Sequence, residues 1–250
     1  MRIPKALENK MNGLLLVQKP SGMRSHALVL KVRRLLQRFV PKIKVGHTGT
    51  LDAFATGLMI LPVGKATKAT QYLQGLDKEY ICLARLGIST DTYDRLGKVL
   101  SQSSLEGLNS SQILQALKGF VGTYPQMPPP FSAKKIMGKP AYLWVRRGKT
   151  PPLKPKTITV YSVQVEEISL PFVRFFIHCS SGTYIRSVVY ELGQKLGCGA
   201  MVQELERTKI GPFQGGLLLE KLEEIASRSR EEVEQCLLPV PEYFKKRRKV

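Results

Sequence analysis

At 250 residues and 43% hydrophobic content, the chain is long enough for one large or two small globular domains with a real core. Its 39 Lys and Arg against 19 Asp and Glu give a formal charge of +20 and an isoelectric point near 10.0, which points to a polyanionic partner, most simply nucleic acid. No stretch reaches the roughly 18 apolar residues of a membrane span, and Leu14-Leu15-Leu16-Val17 is too short and too soon interrupted to serve as a secretory signal, so a cytoplasmic protein is expected.

The four cysteines, Cys82, Cys179, Cys198 and Cys236, are widely spaced and form no C-x-x-C pair. The three histidines, His26, His47 and His178, have no ligand spacing to them. A structural zinc or a disulfide framework is therefore not expected, and reduced thiols suit the cytosol.

In chain order, residues 1–11 read as a basic N-terminal arm. Gly13 to Val17 is a short buried strand, closed by Lys19-Pro20-Ser21-Gly22. Ser25 is expected to cap a helix in which Leu28, Val32, Leu35 and Leu36 share one face, while Arg24, Lys31, Arg33, Arg34 and Arg38 crowd the rest. Next comes Gly46-His47-Thr48-Gly49-Thr50-Leu51-Asp52, a carboxylate among glycines and threonines with no helical or strand period. Such a segment reads as a loop pressed close to something it must touch. An apolar run of strand length follows from Ala55 to Gly64. Lys65 to Leu73 then has helix-forming composition with lysines at its start, where the helix dipole disfavours them unless an anion binds.

Asp77 to Gly87 reads as a strand with Tyr80, Cys82, Ala84 and Leu86 on one side. Ser89 to Gly97 is a polar turn, with too few ligands for a calcium loop. Asn109 or Ser110 is placed to cap a helix bearing Ile113, Leu114 and Leu117. Thr123 to Pro130 must be extended because of its prolines, and the basic and aromatic residues from Phe131 to Gly148 offer phosphate contacts and stacking surfaces. After the proline-rich joint at 150–156, two strands joined as a hairpin span 157–168 and 172–179. Ser181-Gly182-Thr183-Tyr184-Ile185-Arg186-Ser187 turns a strand into a helix. A buried Arg at such a junction demands an anionic partner, for which Asp52 is the candidate. Residues 217–238 suggest one or two helices, ahead of a basic C-terminal tail at 241–250.

The segment Gly46 to Asp52, continued by Gly57-Leu58 and Gly64-Lys65-Ala66-Thr67-Lys68, closely resembles the signature of the TruB family of tRNA pseudouridine synthases. The resemblance extends to Lys19 to Ser25, Lys78-x-Tyr80, Gly182 to Arg186 and Leu205 to Phe213, and so runs from about Gly13 to Phe213. Departures are Arg24 where Thr is normal, Ala53 where Pro usually follows the Asp, and Glu206 where a basic or polar residue is commoner. The resemblance implies a mixed α/β (α+β) pseudouridine-synthase fold, with an extended, largely antiparallel sheet flanked by helices and a central RNA-binding cleft. It implies a catalytic domain over 12–240 with an RNA-facing insertion around 124–156, and no separate accessory domain of the PUA type.

What the resemblance implies for activity is isomerisation of one uridine of the tRNA T-arm loop to pseudouridine. Asp52 would be the catalytic carboxylate, Arg186 would keep it ionised and oriented, and Tyr80 would lie against the base. Tyr184 and Leu205 would hold the ring, His47 would occupy the gap left by the extruded base, and Lys19 and Lys78 complete the substrate-binding set. No metal, nucleotide or redox cofactor is implied, tRNA is the partner, and no protein partner is implied for a monomer. Two other classes fit parts of the sequence. One is a non-catalytic RNA chaperone, and the other a glycosidic-bond hydrolase, which usually needs a second carboxylate that Asp52 lacks in its motif.

Overall fold

The computed structural model describes residues 11–132, 135–136 and 138–242. The basic arm up to Lys10 and the tail beyond Glu242 lie outside the described residues. The chain divides into two compact units, one formed by residues up to Leu76 together with those from Arg207 onward, the other by Asp77–Glu206.

In the first unit, strand Gly13–Lys19 pairs antiparallel with Thr56–Val63, setting Gly13 opposite Val63 and Lys19 opposite Gly57. It pairs in parallel with the short strand Leu217–Leu218. Leu58, Met59, Ile60 and Leu61 are all buried, so the second strand is covered on both faces, as its unbroken apolar run requires. Leu14, Leu58, Ile60, Leu73, Ile210 and Phe213 pack into one cluster, each large aliphatic side chain contributing about 1.5–3 kcal/mol by leaving water. Helix Ser25–Gln37 buries Leu28, Val32 and Leu36 and exposes Arg33 and Arg34, as the periodicity predicts. Ser25 is not its cap. Arg24 occupies the cap position without a side-chain bond, because the Ser25 hydroxyl is committed elsewhere.

The single helix expected over Lys65 to Leu73 is instead a 3-10 segment, Gly64–Ala69, followed by an α-helical turn, Thr70–Gln74. The reason lies in two threonines: Thr67 Oγ1 donates to the Gly64 carbonyl and Thr70 Oγ1 to the Thr67 carbonyl, both at 2.7 Å, which favours the tighter i to i+3 winding. Two closing helices, Leu219–Arg228 and Arg230–Gln235, match the pair allowed by the sequence.

The second unit is built on four antiparallel strands in the order Lys78–Leu86, Phe172–Cys179, Lys156–Ser169, Gly122–Gln126. Lys78, Tyr80, Cys82, Ala84 and Leu86 alternate onto the buried face of the first of these. Pro125 is tolerated because its strand is the outermost of the four, where a missing N–H leaves no ladder bond unmade. Asn109 caps helix Ser110–Lys118 in a capping box with Gln112. Helix Ile185–Lys195 begins at the predicted junction, and strand Ala200–Ile210 carries the chain from the second unit back to the first. The chain is thus mixed α/β, with largely antiparallel strands, a parallel pairing of Gly13–Lys19 with Leu217–Leu218, and flanking helices, the class that the resemblance implied. No described helix is long and apolar enough to cross a membrane.

Candidate active site

Asp52 lies on an irregular loop of the first unit, and that loop is fastened at nearly every residue. Thr48 N–H donates to the Ile60 carbonyl at 3.2 Å and Ala55 N–H to that of Asp52 at 3.2 Å. Ser25 Oγ both donates to the Leu51 carbonyl, at 2.7 Å, and accepts from the Leu51 N–H, at 2.8 Å. The Ala53 carbonyl accepts from Gly22 N–H at 2.8 Å and from Lys19 Nζ at 3.2 Å, while Ser21 Oγ donates to Phe54 O at 2.8 Å.

Two buried cations hold the loop from its two ends. Lys19 is 1% exposed, and its ammonium also donates to the carbonyls of Pro20 and Met23 at 2.8 and 2.9 Å. Arg207 is 2% exposed; its Nε donates to Leu58 O at 2.8 Å and its Nη2 to Gly49 O at 3.4 Å. Gly57, at φ +105°, runs so close to Arg207 that a Cβ there would stand 2.4 Å from the Arg207 carbonyl oxygen, so only glycine fits. Burial pulls the Lys19 ammonium down to about 8, against the negative charge of Asp52, which acts to raise it, and with a smaller push from Arg207.

His47 is half-buried, and its Nδ1 accepts from the Gly49 N–H at 3.3 Å, which leaves the ring proton on Nε2. Burial first, then the charges of Arg207 and His26, hold its pKa below the ordinary 6.5. The unfolded chain therefore takes up a proton that the folded chain refuses. The His47 contribution to stability is fully present above pH 6.5 and is lost as pH falls through the folded value. Following the His47 Hε1 resonance against pH is expected to give a midpoint below 6.5; a midpoint above it would mean that the ring sits beside an anion instead.

In the second unit, Arg186 opens helix Ile185–Lys195 and is buried. Its Nη1 donates to the Thr92 carbonyl at 2.7 Å and lies 3.5 Å from Asp94 Oδ2, and its Nη2 donates to the Phe131 carbonyl at 3.1 Å. Asp94, also buried, accepts in addition from Thr92 Oγ1 at 2.8 Å and from the Leu96 N–H at 3.0 Å. The start of the same helix is tied to the proline-rich segment. Tyr184 N–H donates to Gln126 Oε1 at 2.8 Å, Gln126 Nε2 returns a bond to the Tyr184 carbonyl at 3.1 Å, and Ser187 Oγ donates to Met127 O at 2.7 Å.

Lys19, His47 and Asp52 therefore stand together in the first unit, and Lys78, Tyr80, Tyr184, Arg186 and Leu205 belong to the second, with Lys78, Tyr80 and Leu205 buried. Sequence reasoning demanded an anion for Arg186, named Asp52 for it, and missed Asp94. The available signal was a second acid in the Thr90-Asp91-Thr92-Tyr93-Asp94 turn. It also missed Arg207 and Gln126, whose partners are backbone groups remote in sequence. Glu206 is exposed while Leu205 and Arg207 on either side are buried, so strand alternation turns its negative charge away from both. Elsewhere in the first unit, the exposed Lys42, Lys44, Lys65 and Lys68 line a cavity of about 590 Å³.

One carboxylate on a loop clamped by buried cations, with exposed surface lysines in a chain of +20, has the makeup of an enzyme for a polyanionic substrate. The family model for the TruB family pseudouridylate synthase N-terminal domain matches residues 33–185, and that for the tRNA pseudouridylate synthase B C-terminal domain matches 186–245. The chain belongs to the TruB family. It is 44% identical over 203 residues to the tRNA pseudouridine synthase B of Geotalea uraniireducens (strain Rf4), covering 81% of this chain and 64% of that one. With the tRNA pseudouridine synthase B of Opitutus terrae it shares 41% over 231 residues, covering 92% and 94%. The crystal structure of a Cbf5-Nop10-Gar1 complex contains a chain of similar fold, with TM-score 0.69, 29% identity and coverage of 91% of this chain and 60% of that one.

Proposed function

We propose that the chain converts one uridine of the tRNA T-arm loop to pseudouridine, with Asp52 as the group that acts on the ribose. The observation that carries this reading is the loop at 46–52, whose one acidic side chain is Asp52 and whose shape is held by Lys19, Ser25 and Arg207. A base inside a folded RNA loop is out of reach, so the target nucleotide swings out, and the uncharged His47 ring fills the vacated place. Asp52 acts on the sugar as the N1–C1′ bond breaks, with positive charge developing on the ribose and negative charge on the uracil. The freed base turns, bonds to C1′ through C5, loses the C5 proton and takes up a proton at N1, so that product and substrate are isomers.

Arg186 keeps Asp52 ionised and oriented by a charge-assisted hydrogen bond. Tyr80 lies against the base and relays a proton, with Lys78 adding positive potential beside it, while Tyr184 and Leu205 hold the ring. Lys19, whose N–H groups already hold three carbonyls, serves by setting the loop. The four lysines around the cavity and the segment at 124–156 take backbone phosphates. The protein acts in the cytoplasm as a monomer, without metal or cofactor, and light scattering of the purified chain is expected to give a single-chain mass.

Incubation with an unmodified tRNA transcript, followed by pseudouridine mapping at nucleotide resolution, tests the reading. One new pseudouridine in the T-arm loop is expected. Salt-sensitive binding without product would make the protein a tRNA chaperone, and release of free uracil would make it a glycosidic-bond hydrolase.

A further inference from the structure

Among the described residues, Tyr93 is the one non-glycine with a positive φ, +63°. A side chain with a Cβ enters this region only when its surroundings hold it there, and such residues gather at functional sites. Here the Tyr93 ring stacks on that of Tyr190, with centroids 3.9 Å apart and planes 12° from parallel. Both rings are only half-buried, so filling the core is not their purpose. Tyr190 lies four residues beyond Arg186 on helix Ile185–Lys195, one turn further along the same face.

Tyr93 also stands between two of the groups that address the guanidinium. Thr92 before it offers the carbonyl at 2.7 Å, and Asp94 after it offers the carboxylate at 3.5 Å. The left-handed kink reverses the chain locally, so both groups turn toward one point. The backbone of Tyr93 is held in that kink by its N–H on Thr90 O at 3.2 Å and by its carbonyl, which accepts from Val202 N–H at 3.0 Å.

We propose that the Tyr93–Tyr190 stack positions Arg186, by holding the turn at 90–97 in the one conformation that presents carbonyl and carboxylate together. This rests on the reading that Arg186 serves Asp52 in uridine isomerisation. Neither tyrosine needs to touch the RNA, and both are positioning residues. Burial, with the Tyr190 phenol beside it, pushes the Tyr93 phenol up to about 12, so Tyr93 stays uncharged throughout any assay range.

The test is steady-state kinetics of Tyr190→Phe, Tyr190→Ala and Tyr93→Asn on an unmodified tRNA transcript, each beside a thermal melt. Tyr190→Phe keeps the stack and is expected to retain wild-type kcat. Tyr190→Ala is expected to lose roughly 10- to 100-fold in kcat, the scale of a small misplacement of a catalytic group, with KM for tRNA within about two-fold. Tyr93→Asn keeps a residue that tolerates the kink but removes the stack, and is expected to fall in the same way; it carries the test if Tyr190→Ala does not fold. Wild-type kcat in a folded stack-deleting variant, or a loss no larger than its unfolded fraction, would overturn the proposal. If the wild-type chain makes no pseudouridine, the functional reading fails by itself. The positioning claim is then judged by the Arg186 Nη signals in nitrogen NMR, expected to be separate in wild type and Tyr190→Phe and averaged in Tyr190→Ala; unchanged signals would overturn it.

Discussion

Asp52→Asn will leave a folded protein that binds tRNA and makes no pseudouridine. Asn matches Asp in shape, so the fastenings of the loop, which run through the backbone at Leu51 and Ala53 and through Lys19, Ser25 and Arg207, are untouched. Removing the charge slightly relieves the substrate phosphates of repulsion, and affinity at fixed salt is expected to hold within about two-fold. The chemical step loses the group that meets the developing positive charge of the ribose. A fall of at least about four orders of magnitude in single-turnover rate is expected, or about 5.5 kcal/mol of barrier. Filter binding and quantitative pseudouridine mapping on one preparation separate the two effects. Turnover near the wild-type rate would remove Asp52 from the mechanism.

Arg186→Met should cost both fold and activity, and a second change should return only the fold. The guanidinium satisfies three acceptors, the carbonyls of Thr92 and Phe131 and the buried carboxylate of Asp94. Without it Asp94 loses the cation 3.5 Å away, and breaking a buried pair costs about 3–5 kcal/mol. For a chain of this size that corresponds to a drop in melting temperature on the order of 10 °C. Pairing the change with Asp94→Leu removes the stranded carboxylate, and much of the melting temperature is expected to return. Pseudouridine formation is expected to stay absent in the double variant, because the cation proposed to orient Asp52 is gone. Recovered activity there would show that Arg186 has only a structural role.

How far these features were legible in the sequence depended on how local their causes are. The alternation of Tyr80, Cys82, Ala84 and Leu86 and the capping by Asn109 follow from neighbours a few residues away, and both are found where they were expected. The loop at 46–52 was recognisable from glycine, threonine and the lack of period. What holds it was not. Arg207 reaches Leu58 and Gly49 across 149 and 158 residues, and its partners are carbonyl oxygens that every residue carries, so no side-chain pattern announces them. Ser25 looked like a helix cap because it has the right chemistry at the right place; the winning partner was the Leu51 backbone, 26 residues on. The 3-10 winding after Gly64 was likewise hidden, since it turns on two threonine hydroxyls choosing their own backbone.

The carbonyl of Ala53, taken up by both Gly22 and Lys19, separates shape from side-chain identity in the loop that carries Asp52. Family members usually stiffen this position with proline, whose ring restricts the chain from within. Here the restraint comes from outside, through an oxygen that any residue would supply. Position 53 is thereby released to vary, and the loop's geometry is inherited from residues 19 to 25 instead. Changes in the strand end and helix start around Lys19 will be felt at Asp52, while changes at the residue next to it will pass almost unnoticed.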